Sequence, residues 1–454
     1  MLTYELNKQP GVPLYEALYR CIREDILDGT LPPNRKLPSK RALAANLEVS
    51  KITVEGAYAQ LLAEGYIRSV EKVGFFVEAV QRNPVTPLPA AEKPAAPQSM
   101  LDLTANSCTD FPFSVWSRLQ REVMLDLKEQ LLQHIPNQGI EEPRRAIAAH
   151  LAQFRGMRVS PDNILVGAGT DFLYNLLIQL LGRDKLYALE EPGYDKIRRI
   201  YTAGGVRCTC VPVDAWGVSP AALRDARVLH ISPSHHFPTG LVMPLSRRRE
   251  LLEWAGEGDR YIIEDDYDSE FRFHARPVPS LQSLDTQGRV IYMNTFSKTL
   301  APSIRISYMV LPERLMARFR QELGFYSCTV PSFEQYTLAR FLSRGHFEKH
   351  INRMRKAYKA RRNRLIEILR RCPMASRLQV LEQDAGLHFL VRVQTELTDE
   401  ELTARLLEKG IRIRSLADYY RTPVPEADKK CLLVNYSGLT DEDLTRLECL
   451  LADL

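Results

Sequence analysis

A run of five prolines among alanines, Pro84–Pro97, constrains this chain more than any other feature of it. Proline fixes φ and has no amide hydrogen. A segment this dense in it holds neither a helix interior nor a central strand and reads as a semi-rigid extended linker. The 454 residues therefore fall into a head (1–80), a linker (81–100) and a body (101–454).

The head reads as helix, helix-turn-helix and two short strands. Leu14, Leu18, Ile22 and Ile26 recur at helical spacing and give a first helix its buried stripe, which the turn Asp28–Pro38 ends. Ser39 is placed to cap a second helix, Lys40–Asn46, and Ser50 a third, Lys51–Glu64. Tyr66–Arg68 and Gly74–Val77 read as the strands of a wing. A helix-turn-helix lays one helix in the major groove while phosphate contacts hold its register. Arg35, Lys36, Lys40 and Arg41 stand at the entry to the second helix, and Lys51 and Thr53 open the third, so these six are the candidate DNA-binding residues. Residues 1–80 carry ten Lys/Arg and ten Asp/Glu, so affinity for double-stranded DNA rests on where the positive charges sit, not on their sum.

The body alternates helical stretches with apolar runs at Asn163–Val166, Leu186–Leu189, Val228–Ile231, Tyr261–Glu264, Val290–Met293 and Ile306–Val310. Such alternation predicts a largely parallel sheet with helices on both faces. From about residue 346 a long basic helix, a strand pair near Gly386–Val393 and a closing helix point to a smaller subdomain. The seven Lys/Arg of Arg353–Arg364 read as a solvated face.

No run approaches the ~18–20 uninterrupted apolar residues that span a bilayer. MLTYELNKQPGVPLYE lacks the basic start and apolar stretch of a signal peptide, so no membrane partner and a cytoplasmic location are expected. Cys208 and Cys210 are the one close pair among eight cysteines, with no second pair or histidine at zinc spacing. Free thiols follow, with neither a disulfide framework nor a metal site.

Four loops that follow apolar runs carry chemistry. Gly167-Ala168-Gly169-Thr170 opens a helical stretch, and bare amides at a helix N-terminus cradle phosphate. Glu191-Pro192-Gly193-Tyr194 puts an aromatic at a strand end. Glu264, Asp265, Asp266 and Asp268 cluster at the end of another, where a buried carboxylate needs a partner. Asn294-Thr295-Phe296-Ser297-Lys298 sets a lysine among hydroxyls, with Arg305 seven residues on. A cationic neighbour lowers a lysine's pKa and frees its amine. A Schiff-base lysine, a carboxylate for a ring nitrogen, a stacking aromatic and a phosphate cup are together what pyridoxal 5'-phosphate asks of a protein. Strand ends are where a doubly wound sheet presents such groups.

LPSKRALAANLEVSKITVEGAYAQLLAEGYI (37–67) resembles the winged-helix domain of the GntR family, in which Arg41, Lys51 and Thr53 fall at DNA-contacting positions. The wing, Lys72-Val73-Gly74-Phe75-Phe76-Val77, departs from that family's usual Gly-Ser-Gly-Thr-Phe-Val-like run. SPSHHFPTG (232–240), YIIEDDYDSEF (261–271), NTFSKTLAPSIR (294–305) and AGLH (385–388) resemble the fold-type I aminotransferases, and more closely the aminotransferase-like domain of MocR/GabR-type regulators. The resemblance implies a winged helix-turn-helix joined to an α/β aminotransferase fold. That fold has a large domain (about 130–335) with a mixed, mostly parallel sheet and a small C-terminal α+β subdomain (about 336–454). By that resemblance Lys298 is the Schiff-base lysine, Asp265 pairs with the pyridinium nitrogen and Tyr267 hydrogen-bonds the ring's phenolic oxygen. Tyr194 stacks on the ring, and Gly169, Thr170, Thr295, Ser297 and Arg305 hold the phosphate. A homodimer with sites at the subunit interface is also implied.

Four departures from a working aminotransferase matter. Phe237 stands where an asparagine usually bonds the ring oxygen, His134 where a tyrosine reaches the partner's phosphate, and Pro143-Arg144 where Leu-Arg is usual. Leu433 falls where an arginine clamps the substrate carboxylate, and an aliphatic side chain cannot make that bidentate pair. Lys430 and Lys196 are the neighbouring cations. The expected function is a pyridoxal-phosphate-dependent transcription regulator that senses the cofactor or a small amine or amino-acid effector at Lys298. An active aminotransferase with an accessory head is the alternative. A DNA-binding module on a dead scaffold is weakened by the complete set of cofactor residues.

Overall fold

The structure, a computed structural model, describes residues 2–4, 13–80, 100–104, 110–271, 278–381 and 386–452. The Pro84–Pro97 run, Cys108 and Ala385 lie outside the described residues. Residues 1–96 and 97–454 form two compact units.

In the first unit, helices α1 (Leu14–Leu27), α2 (Lys40–Asn46) and α3 (Lys51–Ala63) precede a hairpin of β1 (Ile67–Val70) and β2 (Gly74–Val77). The caps form: the Ser39 hydroxyl accepts from the Ala42 amide at 3.2 Å and the Ser50 hydroxyl from the Thr53 amide at 3.1 Å. Each satisfies one of the amides that a helix start leaves open, a contribution of ~1 kcal/mol. The stripe of α1 is Leu18, Tyr19, Ile22 and Ile26, with Leu14 only half-buried at the first turn. It packs with Leu43, Val54, Leu61 and Val77 into one core.

The second unit opens with β3 (Leu101–Asp102), α4 (Phe113–Leu127) and α5 (Glu141–Arg155). Strands and helices then alternate: β4 (Ile164–Gly167), α6 (Thr170–Leu181), β5 (Leu186–Glu191), α7 (Asp195–Ala203), β6 (Arg207–Asp214), β7 (Gly217–Val218), β8 (Val228–Ile231) and α8 (Leu245–Gly256). There follow β9 (Tyr261–Asp265), α9 (Leu281–Leu284), β10 (Val290–Thr295), α10 (Phe296–Thr299), β11 (Ser307–Val310), α11 (Glu313–Glu322) and α12 (Ser332–Ser343). These strands make one eight-stranded sheet in the order β4-β11-β10-β9-β8-β5-β6-β7, antiparallel only at β11 and at β7.

Both faces are covered, which is why the central strands are continuous apolar runs. Along β10, Ile291 and Met293 pack with Leu173 and Leu177 of α6, whereas Val290 and Tyr292 enter clusters on the other face. The six runs read from the sequence each coincide with a strand, except that Asn163 and Ile306 lie just before β4 and β11; β6 and β7 are additional. Pro212 and the exposed Arg207 and Asp214 deny β6 an apolar run, and only Val211 in it is buried.

The rest comprises α13 (His346–Arg371), β12 (Leu378–Leu381), β13 (His388–Val393), α14 (Asp399–Glu408), β14 (Ile411–Arg412), β15 (Arg414–Ser415), β16 (Cys431–Asn435) and α15 (Asp441–Ala452). A four-stranded antiparallel sheet runs β12-β13-β16-β15, and β14 pairs parallel with β3. Among the described residues no helix is long and apolar enough to cross a membrane. Among the described residues no group of three or more His, Cys, Asp or Glu is placed to hold a metal.

Candidate functional site

Strands β4, β5, β8, β9 and β10 run in one direction, so their carboxyl ends share an edge of the sheet. Gly169, Tyr194, Phe237, Asp265 and Lys298 follow or end those five strands and converge there.

Four acids end β9 or follow it closely, and each has its own partner. Glu264 accepts from the Leu281 and Gln282 amides at 2.9 Å and lies 3.5 Å from Arg248. Asp266 pairs with Arg155 at 2.9 Å and accepts from Tyr292 at 2.6 Å. Asp268 meets His235 Nδ1 at 2.9 Å. Asp265 accepts at Oδ2 from the Tyr174 hydroxyl at 2.5 Å, with His230 Nε2 3.6 Å away, while its buried Oδ1 has no hydrogen-bond partner among the described residues. Burial and the Asp265 charge push the Tyr174 phenol well above the ordinary tyrosine value, so it stays a donor. The Tyr201 hydroxyl and His230 Nδ1 lie 2.8 Å apart behind it.

Lys298 sits half-buried on α10. Burial lowers its pKa, Asp268 and then Asp265 oppose that, and Lys196 adds to it. Thr295, at the end of β10, caps α10: its hydroxyl accepts from the Ser297 amide at 3.1 Å and from the Ser307 hydroxyl at 2.7 Å. The buried Ser297 Oγ has no partner among the described residues. Gly169, with φ at 90°, ends the approach to α6, and the Arg305 guanidinium lies where a Cβ on Gly169 would stand. Asp171, in the first turn of α6, lies 3.7 Å from Arg305 and 2.7 Å from Lys196.

Tyr194 is 52% exposed and meets Phe237 edge-on at 5.8 Å between centroids. Phe237 in turn meets His388 at 5.3 Å and Tyr419 at 5.1 Å. The Tyr267 hydroxyl donates to the His235 carbonyl at 3.2 Å. Leu433 is buried in a cluster with Leu390 and Leu416 that Phe237 packs against. His134 is exposed, and Arg144 is spent on the Gly139 and Pro161 carbonyls. Sequence reasoning missed Tyr174 and His230. The signal for His230 was a lone histidine inside the apolar strand β8, and Tyr174 lies one helical turn after Thr170.

In the first unit Arg35, Lys36, Arg41 and Lys51 are exposed, and Lys40 and Thr53 are half-buried. Glu55 lies 3.6 Å from Lys40 and 3.4 Å from Lys51, so part of their charge is met internally. Thr53 shares a 2.8 Å hydroxyl contact with the capping Ser50. Ile52, 79% exposed between Lys51 and Thr53, was not singled out because isolated apolar surface residues are common.

Residues 14–77 match the gntR family of bacterial regulatory proteins, and residues 98–448 match aminotransferase class I and II. The HTH-type transcriptional regulator YdeL of Bacillus subtilis (strain 168) is 35% identical over 98% of this chain and 97% of its own. The probable rhizopine catabolism regulatory protein MocR of Rhizobium meliloti is 31% identical over 96% of this chain and 92% of its own. The chain belongs to the MocR-type regulators. Its first unit is a GntR winged helix, which binds DNA, and its second is an aminotransferase-like domain whose cofactor is pyridoxal phosphate. The fold agrees with a kynurenine aminotransferase from Pyrococcus horikoshii at a TM-score of 0.68 and 24% identity, over 79% of this chain and 91% of that one. The residues suit the cofactor of this MocR-type chain: Asp265 Oδ1 is open for a ring nitrogen, and Ser297 Oγ, the start of α6 and Arg305 offer donors to a phosphate.

Proposed function

We propose that this MocR-type regulator works in the cytoplasm as a homodimer and responds to a small amine or amino acid at the cofactor of its aminotransferase-like domain. The observation that carries this reading is a contrast. By the resemblance, the chain keeps a residue for each cofactor contact, whereas Leu433, buried in a cluster that Phe237 packs against, falls where an aminotransferase keeps its substrate arginine. Pyridoxal phosphate, when bound, supplies an aldehyde carbon that exchanges one primary amine for another.

Every other task falls to the chain. Lys298 provides the resident amine, and burial favours the neutral, nucleophilic form. Asp265 Oδ1 offsets the charge of the ring nitrogen while Tyr174 steadies Oδ2. Gly169, Thr170, Thr295, Ser297 and Arg305 would hold the phosphate, Tyr194 would stack on the ring, and Tyr267 would bond its phenolic oxygen. Regulatory states differ at Lys298, whose amine is either engaged or free beside Asp268 and Asp265. Such a difference is what an effector needs in order to bias DNA binding. On double-stranded DNA, Arg35, Lys36, Lys40, Arg41 and Lys51 hold phosphates with Thr53, and Ile52 offers a methyl contact to thymine.

An amino-donor screen on the cofactor-loaded protein tests this, following the visible spectrum, keto-acid-dependent product and DNA binding together. A donor that shifts the spectrum and the DNA affinity without sustained turnover is the expected outcome. Many turnovers, on the order of one per second or faster, with DNA affinity unmoved, overturn it.

A further inference from the structure

Four residues stand in one row across the small sheet: Leu381 pairs with Leu390, Leu390 with Leu433, and Leu433 with Arg414. Directly opposed residues in antiparallel strands project to the same face. The first three pack with Phe237, so the row looks onto the cofactor pocket and Arg414 ends it. We propose that Arg414 is the carboxylate-binding residue of the effector pocket, replacing from the neighbouring strand the guanidinium that Leu433 lacks, and that the effector is an amino acid. This rests on the pocket reading given above.

The cations around the pocket are otherwise engaged. Lys196 pairs with Asp171 at 2.7 Å, Lys430 donates to the Thr395 carbonyl, and Arg421 is paired with Asp195. Arg414 is exposed and lies in no ion pair among the described residues. Its guanidinium acts on the phenol of Tyr419, where burial raises the pKa and Arg414 is the largest opposing influence. Tyr419 meets Phe237 edge-on at 5.1 Å and Phe237 meets Tyr194 at 5.8 Å, so aromatic rings join Arg414 to the mouth of the pocket. The neighbouring Asp418 accepts from the Ser415 amide at 3.1 Å and feels the Arg414 charge without forming an ion pair with it. A planar guanidinium with no carboxylate in ion-pair contact among the described residues is suited to take one from a ligand in bidentate fashion.

The test is a visible-absorbance titration of the full-length, cofactor-loaded chain with matched pairs: L-leucine and isopentylamine, L-phenylalanine and phenethylamine, L-lysine and cadaverine. In the unaltered protein at least one amino acid binds ten or more times tighter than its amine. Arg414→Ala removes that preference and leaves the amine's Kd within about twofold, and Arg414→Lys keeps part of it because the charge remains without the fork. If the alanine variant loses the cofactor band, Arg414→Lys alone carries the comparison. Equal binding of both members of every pair, or a preference that survives both substitutions, overturns the assignment to Arg414 while leaving the pocket reading standing. A cofactor-loaded protein whose band no amine or amino acid shifts overturns the pocket reading, and this inference with it.

Discussion

The Tyr174 hydroxyl donates to Oδ2 of Asp265 at 2.5 Å and thereby fixes which oxygen of that carboxylate faces the pocket. A hydrogen bond to a charged group contributes ~1.5–3 kcal/mol, and a buried carboxylate deprived of its donor bears the full desolvation penalty. Among the described residues, Tyr174→Phe leaves His230, 3.6 Å away, to hold Oδ2. The expected result is a pyridoxal phosphate Kd raised about tenfold, by the loss of ~1.4 kcal/mol. Asp265→Asn raises it further, because an amide cannot offset the charge of the ring nitrogen. Equilibrium absorbance titration of both variants checks the order; Tyr174→Phe binding as tightly as the unaltered protein would falsify it.

Lys298 sets the pH dependence of cofactor capture. Burial holds its pKa below the ordinary lysine value, and Asp268 pulls it back up. Only the neutral amine attacks, so the capture rate of the cofactor-free protein rises with pH and levels off below the ordinary ~10.4. Asp268→Asn removes the anion that raises the pKa and moves the midpoint lower. In the window between the folded and unfolded values the unfolded chain binds more protons, so this group makes stability rise with pH there. Stopped-flow capture rates from pH 6 to 10 check the midpoint. A higher midpoint in Asp268→Asn contradicts the assignment.

Glu190 gives a dependence of opposite sign. Its carboxyl accepts a hydrogen bond from the Ser232 amide at 2.9 Å, and burial pushes its pKa up to about 8. The folded state then binds the extra proton. The stability it contributes is fully present below the ordinary carboxylate range and is lost as pH rises through about 8. Glu190→Gln keeps an acceptor for Ser232 and cannot ionise. Urea unfolding at pH 6 and pH 9 is expected to show a smaller loss of stability for the variant than for the unaltered protein. Equal losses remove Glu190 as the source.

Periodicity, capping serines and apolar strand runs made the fold legible, because each reports local chemistry that the backbone obeys. The loops after β4, β9 and β10 were legible for the same reason: Gly169, Asp265 and Lys298 follow apolar strands too closely to lie anywhere but the carboxyl edge. What stayed hidden depends on pairing between distant segments. Tyr174 reaches Asp265 across 91 positions of sequence, and Arg414 meets Leu433 only through strand register. Strand β6 was hidden by Pro212 and by having Val211 as its one buried residue. The distribution of charge in the head was equally invisible, since the sequence lists Lys51 and Glu55 without saying that they lie 3.4 Å apart.

That ion pair separates two basic residues that look alike in sequence. Arg41 is exposed and in no ion pair among the described residues, whereas Lys51 shares Glu55 with Lys40. A cation that neutralises one phosphate contributes about 0.9 to the slope of log affinity against log salt. Arg41→Ala is expected to lower that slope by about 0.9 on any DNA sequence, and Lys51→Ala by less. Glu55→Gln, which frees both lysines, raises affinity uniformly. Salt titrations of operator and random duplexes decide this, and a larger slope change for Lys51→Ala than for Arg41→Ala contradicts it.

Gly169 offers the sharpest test of the phosphate cup, because two constraints meet at one atom. Its φ of 90° is a conformation that a side chain makes costly, and a Cβ there would overlap the Arg305 guanidinium. Gly169→Ala must therefore both strain the approach to α6 and displace Arg305 toward Asp171, which already lies 3.7 Å from it. Strain of this kind amounts to ~1–3 kcal/mol. Two measurements separate the effects. Unfolding of the cofactor-free protein reads the strain alone. The Kd for pyridoxal phosphate reads strain and lost phosphate contacts together. An Arg305→Ala variant supplies the contact loss without the strain. If Arg305 is a phosphate ligand, Gly169→Ala and Arg305→Ala both weaken the cofactor about tenfold or more, and combining them weakens it by less than the product, since each removes the same guanidinium from the cup. Full additivity would mean that Gly169 acts through the backbone of α6 and leaves Arg305 where it is.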